Sequence, residues 1–343
     1  PSQLLLVVHH LVVDGVSWRI LLEDFASVWQ QLVHGGPVQL PPKTSAFQTW
    51  ASRLVEYASG AALRAEAEYW LRRPSVTQAL PVDFDAPDKA NTVASTARVT
   101  VTLDRRQTAS LLYEASGAYR TQIDDLLLTA LLQAFARWTG SRSLLIDLEG
   151  HGREELFNDV DTSRTVGWFT SIFPVHLHLQ GAGPAENIKA IKEQLRGVPQ
   201  RGIGYGLLRY LSLDEELRAQ LAALPAPQVS FNYLGRIEGL AAEPIRGVSA
   251  HPPGAEEGPD GRRPYLLDVI GQVAGDRLQL DFVHSTRVHR RSTVERLAND
   301  VLAHIESLLA HCLSPAAGGF TASDFPEADL SQEELDRLVA DLD

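Results

Sequence analysis

Residues 4–25 read LLLVVHHLVVDGVSWRILLEDF, and the reading of the whole chain turns on them. Leu4 to Val8 is an apolar run that predicts a buried strand. From about Val16, the residues Trp18, Leu21, Leu22, Phe25, Val28, Trp29 and Leu32 recur at spacings of three, four and seven. That pattern predicts a long helix burying one face, stopped by Gly35-Gly36-Pro37. Between strand and helix stand His9-His10 and Asp14-Gly15, where a rigid scaffold can present a reactive side chain. Histidine suits proton transfer near neutrality. Neighbouring strand residues point to opposite faces. If the extended geometry reaches His10, one histidine faces a given site and the other is structural, which argues against a metal site using both. Asp14, just ahead of the helix, reads as a cap or as the partner of a buried Arg before it reads as a base.

The 343 residues suffice for two core-bearing units. With 44% hydrophobic and 22% charged residues, the composition is that of an ordinary globular protein, not of a disordered one. No apolar run approaches a membrane span, and no signal-peptide pattern opens the chain. The single cysteine, Cys312, excludes an internal disulfide and fits a reducing, cytoplasmic compartment. A net charge of −12 gives no electrostatic reason to expect nucleic acid. Methionine is absent even from position 1, so the chain is expected to be a piece of a longer polypeptide.

Helical material is expected over Phe47 to Tyr57 and Gly60 to Leu71, with Phe47, Trp50, Leu54, Tyr69 and Trp70 in the core. Pro74 to Thr92, with Pro81, Asp83, Asp85, Pro87 and Asp88, reads as irregular. Ala97 to Leu103 alternates as a half-buried strand does. Helices over about Arg106 to Ser116 and Ile123 to Trp138 follow, the second closed by Thr139-Gly140, and then a buried strand from Leu144 to Leu148. Later come a short strand, Val229 to Phe231, and a pair, Tyr265 to Val273 and Arg277 to Phe282, across Ala274-Gly275-Asp276. Ser292 to Leu313 reads as an amphipathic helix, and Ser331 with Glu334 as a capping box for a last acidic helix. Strand-and-helix alternation on both sides of the irregular stretch favours two related α/β lobes.

Glu149, in EGHGRE (149–154), sits between an apolar strand and a glycine-rich turn, where partial desolvation raises a carboxylate's pKa. His151 and Arg153 read as scaffolding of that turn, Glu154 and Glu155 as solvated. RTVGWFTS (164–171) says by itself that a buried aromatic turn enters a strand. The Leu and Ala residues of DDLLLTAL (124–131) are most simply core. The glycines of VPQRGIGYG (198–206) lack the Gly-Lys-Ser/Thr of a phosphate-binding loop and read as a close-packed turn. In FNYLG (231–235), Asn232 either holds a turn or offers an amide to a developing oxyanion, and Tyr233 is the weaker candidate.

Together these motifs carry a resemblance. His9-His10-x-x-x-Asp14-Gly15 resembles the HHxxxDG signature of the condensation-domain superfamily of nonribosomal peptide synthetases. The continuation Val16-Ser17-Trp18, EGHGRE, RTVGWFT with Phe173-Pro174-Val175, and FNYLG resemble its epimerization branch. The resemblance implies an α/β fold of two lobes like that of chloramphenicol acetyltransferase, the first lobe truncated. It implies the N-terminal lobe over 1–86, a linker over 87–96, a C-terminal lobe over 97–320 and an acidic tail over 321–343. It implies epimerization of an aminoacyl or peptidyl thioester at the α-carbon, with His10 and Glu149 as the proton-transfer groups. His9, Asp14, Gly15, Asn232 and Tyr233 would support them, Asn232 as a possible enolate contact. No metal or bound cofactor is implied, because the substrate rides on the 4'-phosphopantetheine of an upstream carrier domain. A downstream synthetase domain is the other expected partner. The alternatives are a condensation domain forming an amide, or a silent module that only docks a carrier.

Overall fold

The computed structural model describes residues 3–72, 74, 78–85, 90–236, 254, 257–328 and 330–340. Its centre is one six-stranded mixed sheet. The strands are β1 (Thr96–Thr102), β2 (Ser143–Gly150), β3 (Ser171–His178), β4 (Val229–Arg236), β5 (Leu267–Ala274) and β6 (Arg277–Ser285), in the spatial order β1-β6-β5-β4-β2-β3. β4 runs parallel to both β2 and β5, and the remaining pairs are antiparallel. Asp276 and the preceding Gly275 both take positive φ in the two-residue turn from β5 to β6. Their left-handed geometry matches the twist of a tight hairpin.

Eight helices are named here: α1 (Gly15–Val33), α2 (Phe47–Ala58), α3 (Arg105–Tyr113), α4 (Ile123–Thr139), α5 (Pro184–Arg196), α6 (Glu215–Ala223), α7 (Arg291–Cys312) and α8 (Gln332–Ala340). One face of the sheet is apolar, with Ile146, Phe231, Val269, Leu280 and Phe282 buried, and it joins the buried stripes of α4 and α7 in one core. Leu126 to Leu128 and Ala130 to Leu132 of α4 are all buried there. α4 ends at Gly140, which takes the left-handed conformation of a C-terminal cap. The opposite face carries Asp147, Ser230, Asp268 and Asp281, polar residues at alternate positions on four strands. Ser331 and Glu334 form the expected capping box of α8, with Ser331 N–H donating to Glu334 Oε2 at 2.9 Å and Glu334 N–H to Ser331 Oγ at 3.3 Å.

Two expectations are corrected. Leu4 to Val8 is not a strand: no ladder pairs with it among the described residues, and Val7 is 80% exposed. A strand exists through its partners, and among the described residues all six strands lie beyond residue 95. The face of α1 carrying Trp29 and Leu32 is exposed, while Ser17, Ile20 and Ala26 are the helix's buried residues. Periodicity identifies an apolar face without supplying a neighbour to cover it. Pro87 and Asp88 of the irregular stretch lie outside the described residues. The helical material expected from Gly60 to Leu71 takes the form of two short helices, Ala61–Arg64 and Ala67–Leu71, and Trp70 of the second is buried.

Candidate functional site

The site begins with Asp14. Its carboxylate caps α1, accepting Ser17 N–H at 2.7 Å, and it also accepts Phe169 N–H at 3.1 Å. Arg153 closes the arrangement: its Nη2 lies 3.2 Å from Asp14 Oδ1 and 3.1 Å from Ser17 Oγ. Its Nη1 donates to the carbonyls of Thr162 and Thr165 at 2.7 and 2.8 Å. The guanidinium rests 3.9 Å from the Phe169 ring centre, a stacking that suits its planar, weakly hydrated charge. Burial pushes the Asp14 carboxyl up, but the Ser17 and Phe169 hydrogen bonds and the Arg153 charge outweigh it and hold it below the ordinary carboxylate value. Asp14 is thus both helix cap and partner of a buried Arg. Gly152 permits this turn: it has φ +66°, and a Cβ there would stand 1.7 Å from the Phe169 carbonyl oxygen.

The two histidines divide. His9 Nδ1 accepts Leu11 N–H at 3.1 Å and so caps a short 3-10 turn, His10–Val12. The chain therefore leaves the extended geometry at His10. The His10 ring lies exposed beside Trp168, with ring centres 5.3 Å apart. Beyond its chain neighbours and the backbone of its own helical turn, Gly15 has no atom within 4 Å of where its Cβ would be.

Glu149 is the last residue but one of β2, in register with Ile172 of β3. It shares the polar face of the sheet with Asp147. Asn232 of β4 donates a side-chain hydrogen bond to it, and His10 is close enough to act on it electrostatically. Glu149 is open to solvent on one side, yet the protein around it pushes its carboxyl above the ordinary value. The Asn232 bond and the His10 charge draw it part of the way back. So Glu149 and Asn232 are partners on the open face of the sheet, and His10, from a third distant stretch, lies within electrostatic reach of Glu149. Asn232 is engaged with Glu149, which adds to the two roles expected for it.

Tyr233 is not with them. Next to Asn232 on a strand, it turns to the helix-facing side, packs against the main core, and lies over Gly271. Burial and the nearby Asp124 charge push its hydroxyl up to about 12. Glu154, expected in solvent, has a side chain only 14% exposed and pairs with His151 at 3.5 Å and Arg201 at 3.8 Å. Glu155 is exposed, as a solvated turn residue is.

A cleft of about 720 Å³ adjoins the site, lined among others by Trp168, Ile172, Asp147, Tyr265 and, from α2, Trp50 and Leu54. Tyr265 donates its hydroxyl to Asp147 Oδ2 at 2.8 Å. Asp147 and Tyr265 were given no site role in the sequence, and Ser17 and Trp168 were read only as members of motifs. For Asp147 the signal is its alternation with Glu149 on one strand. For the other three the partners lie more than a hundred residues away, so even where a motif marks the residue, as for Ser17 and Trp168, it does not name the contact.

The Condensation domain family profile matches residues 2–331. One of the linear gramicidin synthase proteins of Brevibacillus parabrevis is 45% identical over 340 residues, 98% of this chain and 4% of that protein. Chondramide synthase cmdD of Chondromyces crocatus is 46% identical over 345 residues, 99% of this chain and 9% of that one. The chain therefore spans less than a tenth of either synthase. The crystal structure of the epimerization domain from the third module of tyrocidine synthetase B is similar at a TM-score of 0.80 and 37% identity, over 89% of this chain and 68% of that one. Profile, relatives and superposition agree with the geometry: this chain belongs to the condensation-domain family of nonribosomal peptide synthetases, on the chloramphenicol acetyltransferase-like fold.

Proposed function

We propose that the domain epimerizes the α-carbon of an aminoacyl or peptidyl thioester, held on the phosphopantetheine arm of an upstream carrier domain in the same polypeptide. What carries the reading is the meeting of Glu149, His10 and Asn232 on the open face of the sheet. The α-hydrogen of a thioester is a weak acid, made accessible because the carbonyl delocalises the carbanion as an enolate. Inverting the centre requires removing that proton from one face and returning one to the other. Glu149 and His10 are two proton-transfer groups of different type at one place. A carboxyl with a raised pKa is the better matched to exchange protons near neutrality. Asn232 fixes the Glu149 carboxylate and keeps an amide beside the reacting centre. Asp14, Ser17 and Arg153 hold the frame and do not touch the substrate. The arm and its thioester come from the carrier, so no resident cofactor enters the chemistry, and a further synthetase domain would take the product.

The test is an L-aminoacyl thioester, deuterated at the α-carbon and loaded on the adjoining carrier of the parent synthetase. Deuterium loss to solvent with formation of D-isomer is expected. Glu149→Gln should slow both by about 10²- to 10⁴-fold, the range of a lost acid–base group, with His10→Ala in the same range. Retained deuterium in the L-isomer, with a competent carrier, would overturn the reading. Amide formation with an added acceptor thioester would replace it by condensation, and binding without reaction by a docking role.

A further inference from the structure

Trp168 belongs to a motif that the proposed chemistry leaves without a role. Both its neighbours are pinned by the start of α1. Gly167 N–H donates to Ser17 Oγ at 3.0 Å, and the Gly167 carbonyl accepts from the same hydroxyl at 2.9 Å. Phe169 N–H donates to Asp14 Oδ2. Gly167 and Phe169 are buried and Trp168, between them, is 38% exposed. With both flanking peptides fixed, the direction of the Trp168 Cα–Cβ bond is set, and the indole meets the His10 imidazole at 5.3 Å with the rings tilted by 53°. Offset and tilted aromatic pairs at this separation attract. No hydrogen bond holds the His10 ring among the described residues, so this ring contact is what orients it. The same indole lines the cleft beside the site.

We infer that Trp168 is the positioning residue of His10, aimed by the Asp14–Ser17 clamp and aiming the imidazole toward Glu149. Only the catalytic consequence rests on the proposed epimerization. The contact itself can be tested without turnover.

The experiment is NMR of the protein labelled at its histidines, with the His10 signal assigned by its loss in His10→Gln. Its ring protons should be displaced by the indole ring current. Trp168→Ala should abolish the displacement and leave the other ten histidines in place, whereas Trp168→Phe should keep part of it. Ser17→Ala, which loosens the clamp, should reduce it. In the carrier-bound assay, Trp168→Ala should slow deuterium loss by about 10²-fold, the scale of a misplacement near 1 Å. The pH profile should change and KM stay within about twofold, with most of the rate restored in Trp168→Phe. A His10 signal unmoved by Trp168→Ala, or a folded Trp168→Ala protein with the parent rate and pH profile, overturns the inference. A displaced signal in a protein that never releases deuterium overturns the epimerization reading alone.

Discussion

Two polar regions lie side by side in this domain, and they are built on opposite terms. Around Asp14, all the polar partners face inward: Asp14 is 3% exposed, its carboxylate takes two backbone amides, and Arg153 is shared between it, Ser17 and two carbonyls. Around Glu149 the groups face outward, one hydrogen bond from Asn232 and the His10 charge being the interactions that act on the carboxylate. The first region spends its charges on each other and so is rigid. The second leaves the proposed proton-transfer pair, His10 and Glu149, free to meet something else. The histidine-rich signature contributes to both, with Asp14 in the frame and His10 at the opening. On the proposed reading, holding and reacting are separated within the five residues from His10 to Asp14.

If that division is right, substitutions should sort by region: loss of rate with an intact fold at Glu149, loss of fold at Asp14. The largest effect on stability is expected from Asp14→Ala, which leaves the Arg153 guanidinium buried without its counter-charge. Breaking one side of a buried pair costs about 3–5 kcal/mol, readable as a shift of the denaturant midpoint. A pH arm sharpens it. The Asp14 carboxyl is held below its ordinary value, so the folded state favours the ionised form. The stabilisation is therefore complete above about pH 4, the unfolded value, and is lost as pH falls through the folded one. The parent protein should lose stability below that pH more steeply than Asp14→Ala does. An equal acid slope in the two would mean that the pair is not what holds the frame.

Gly152→Ala should follow. A Cβ would press on the Phe169 carbonyl at 1.7 Å, in a backbone conformation at φ +66° that L-residues rarely adopt. Backbone strain of this kind costs about 2 kcal/mol or more. Phe169 also gives its amide to Asp14, so the push is delivered to the clamp itself. Lowered stability should therefore come with an altered His10 environment. A variant with parental stability would show that the turn gives way more easily than its contacts imply.

How much of this was legible depended on the range over which each feature is specified. The α4 core, the Gly140 stop and the tight β5–β6 hairpin are written in local periodicity and turn chemistry, and they appear where the pattern put them. Leu4 to Val8 and the outer face of α1 are apolar in the sequence too, but burial needs a second surface, which local pattern does not contain. Asp14 could be read as a cap or as an Arg partner because a carboxylate ahead of a helix has few other uses. That the Arg is Arg153, 139 residues on, is settled by the crossing of chain segments alone. Glu149 and Asn232 were marked by their motifs, the first near the end of β2 and the second within β4, which runs on past the expected Phe231 to Arg236, whereas their mutual hydrogen bond follows from β2 and β4 lying next to each other in parallel. Tyr233 shows the limit of a motif: one step along a strand turns a side chain to the other face.

The smallest expected effect falls on the residue beside the clamp, Gly15. A motif glycine is usually explained by a left-handed backbone or by a neighbour too close for a Cβ. Neither holds here, since nothing beyond its chain neighbours and its own helix backbone lies within 4 Å and no positive φ is involved. Gly15 occupies the first turn of α1, where alanine is the better helix former. Gly15→Ala should thus leave stability unchanged or raise it by up to about 1 kcal/mol. Its effect on the reaction is then separable from any effect on the fold. If the variant is as stable as the parent but its KM for the carrier-bound thioester rises with kcat held, the open space before Gly15 is used by the substrate or its arm. If KM and kcat both stay put, the glycine contributes nothing to binding or to the reaction. A loss of stability would place Gly15 with Asp14 in the frame and move the border between the two regions one residue toward the helix.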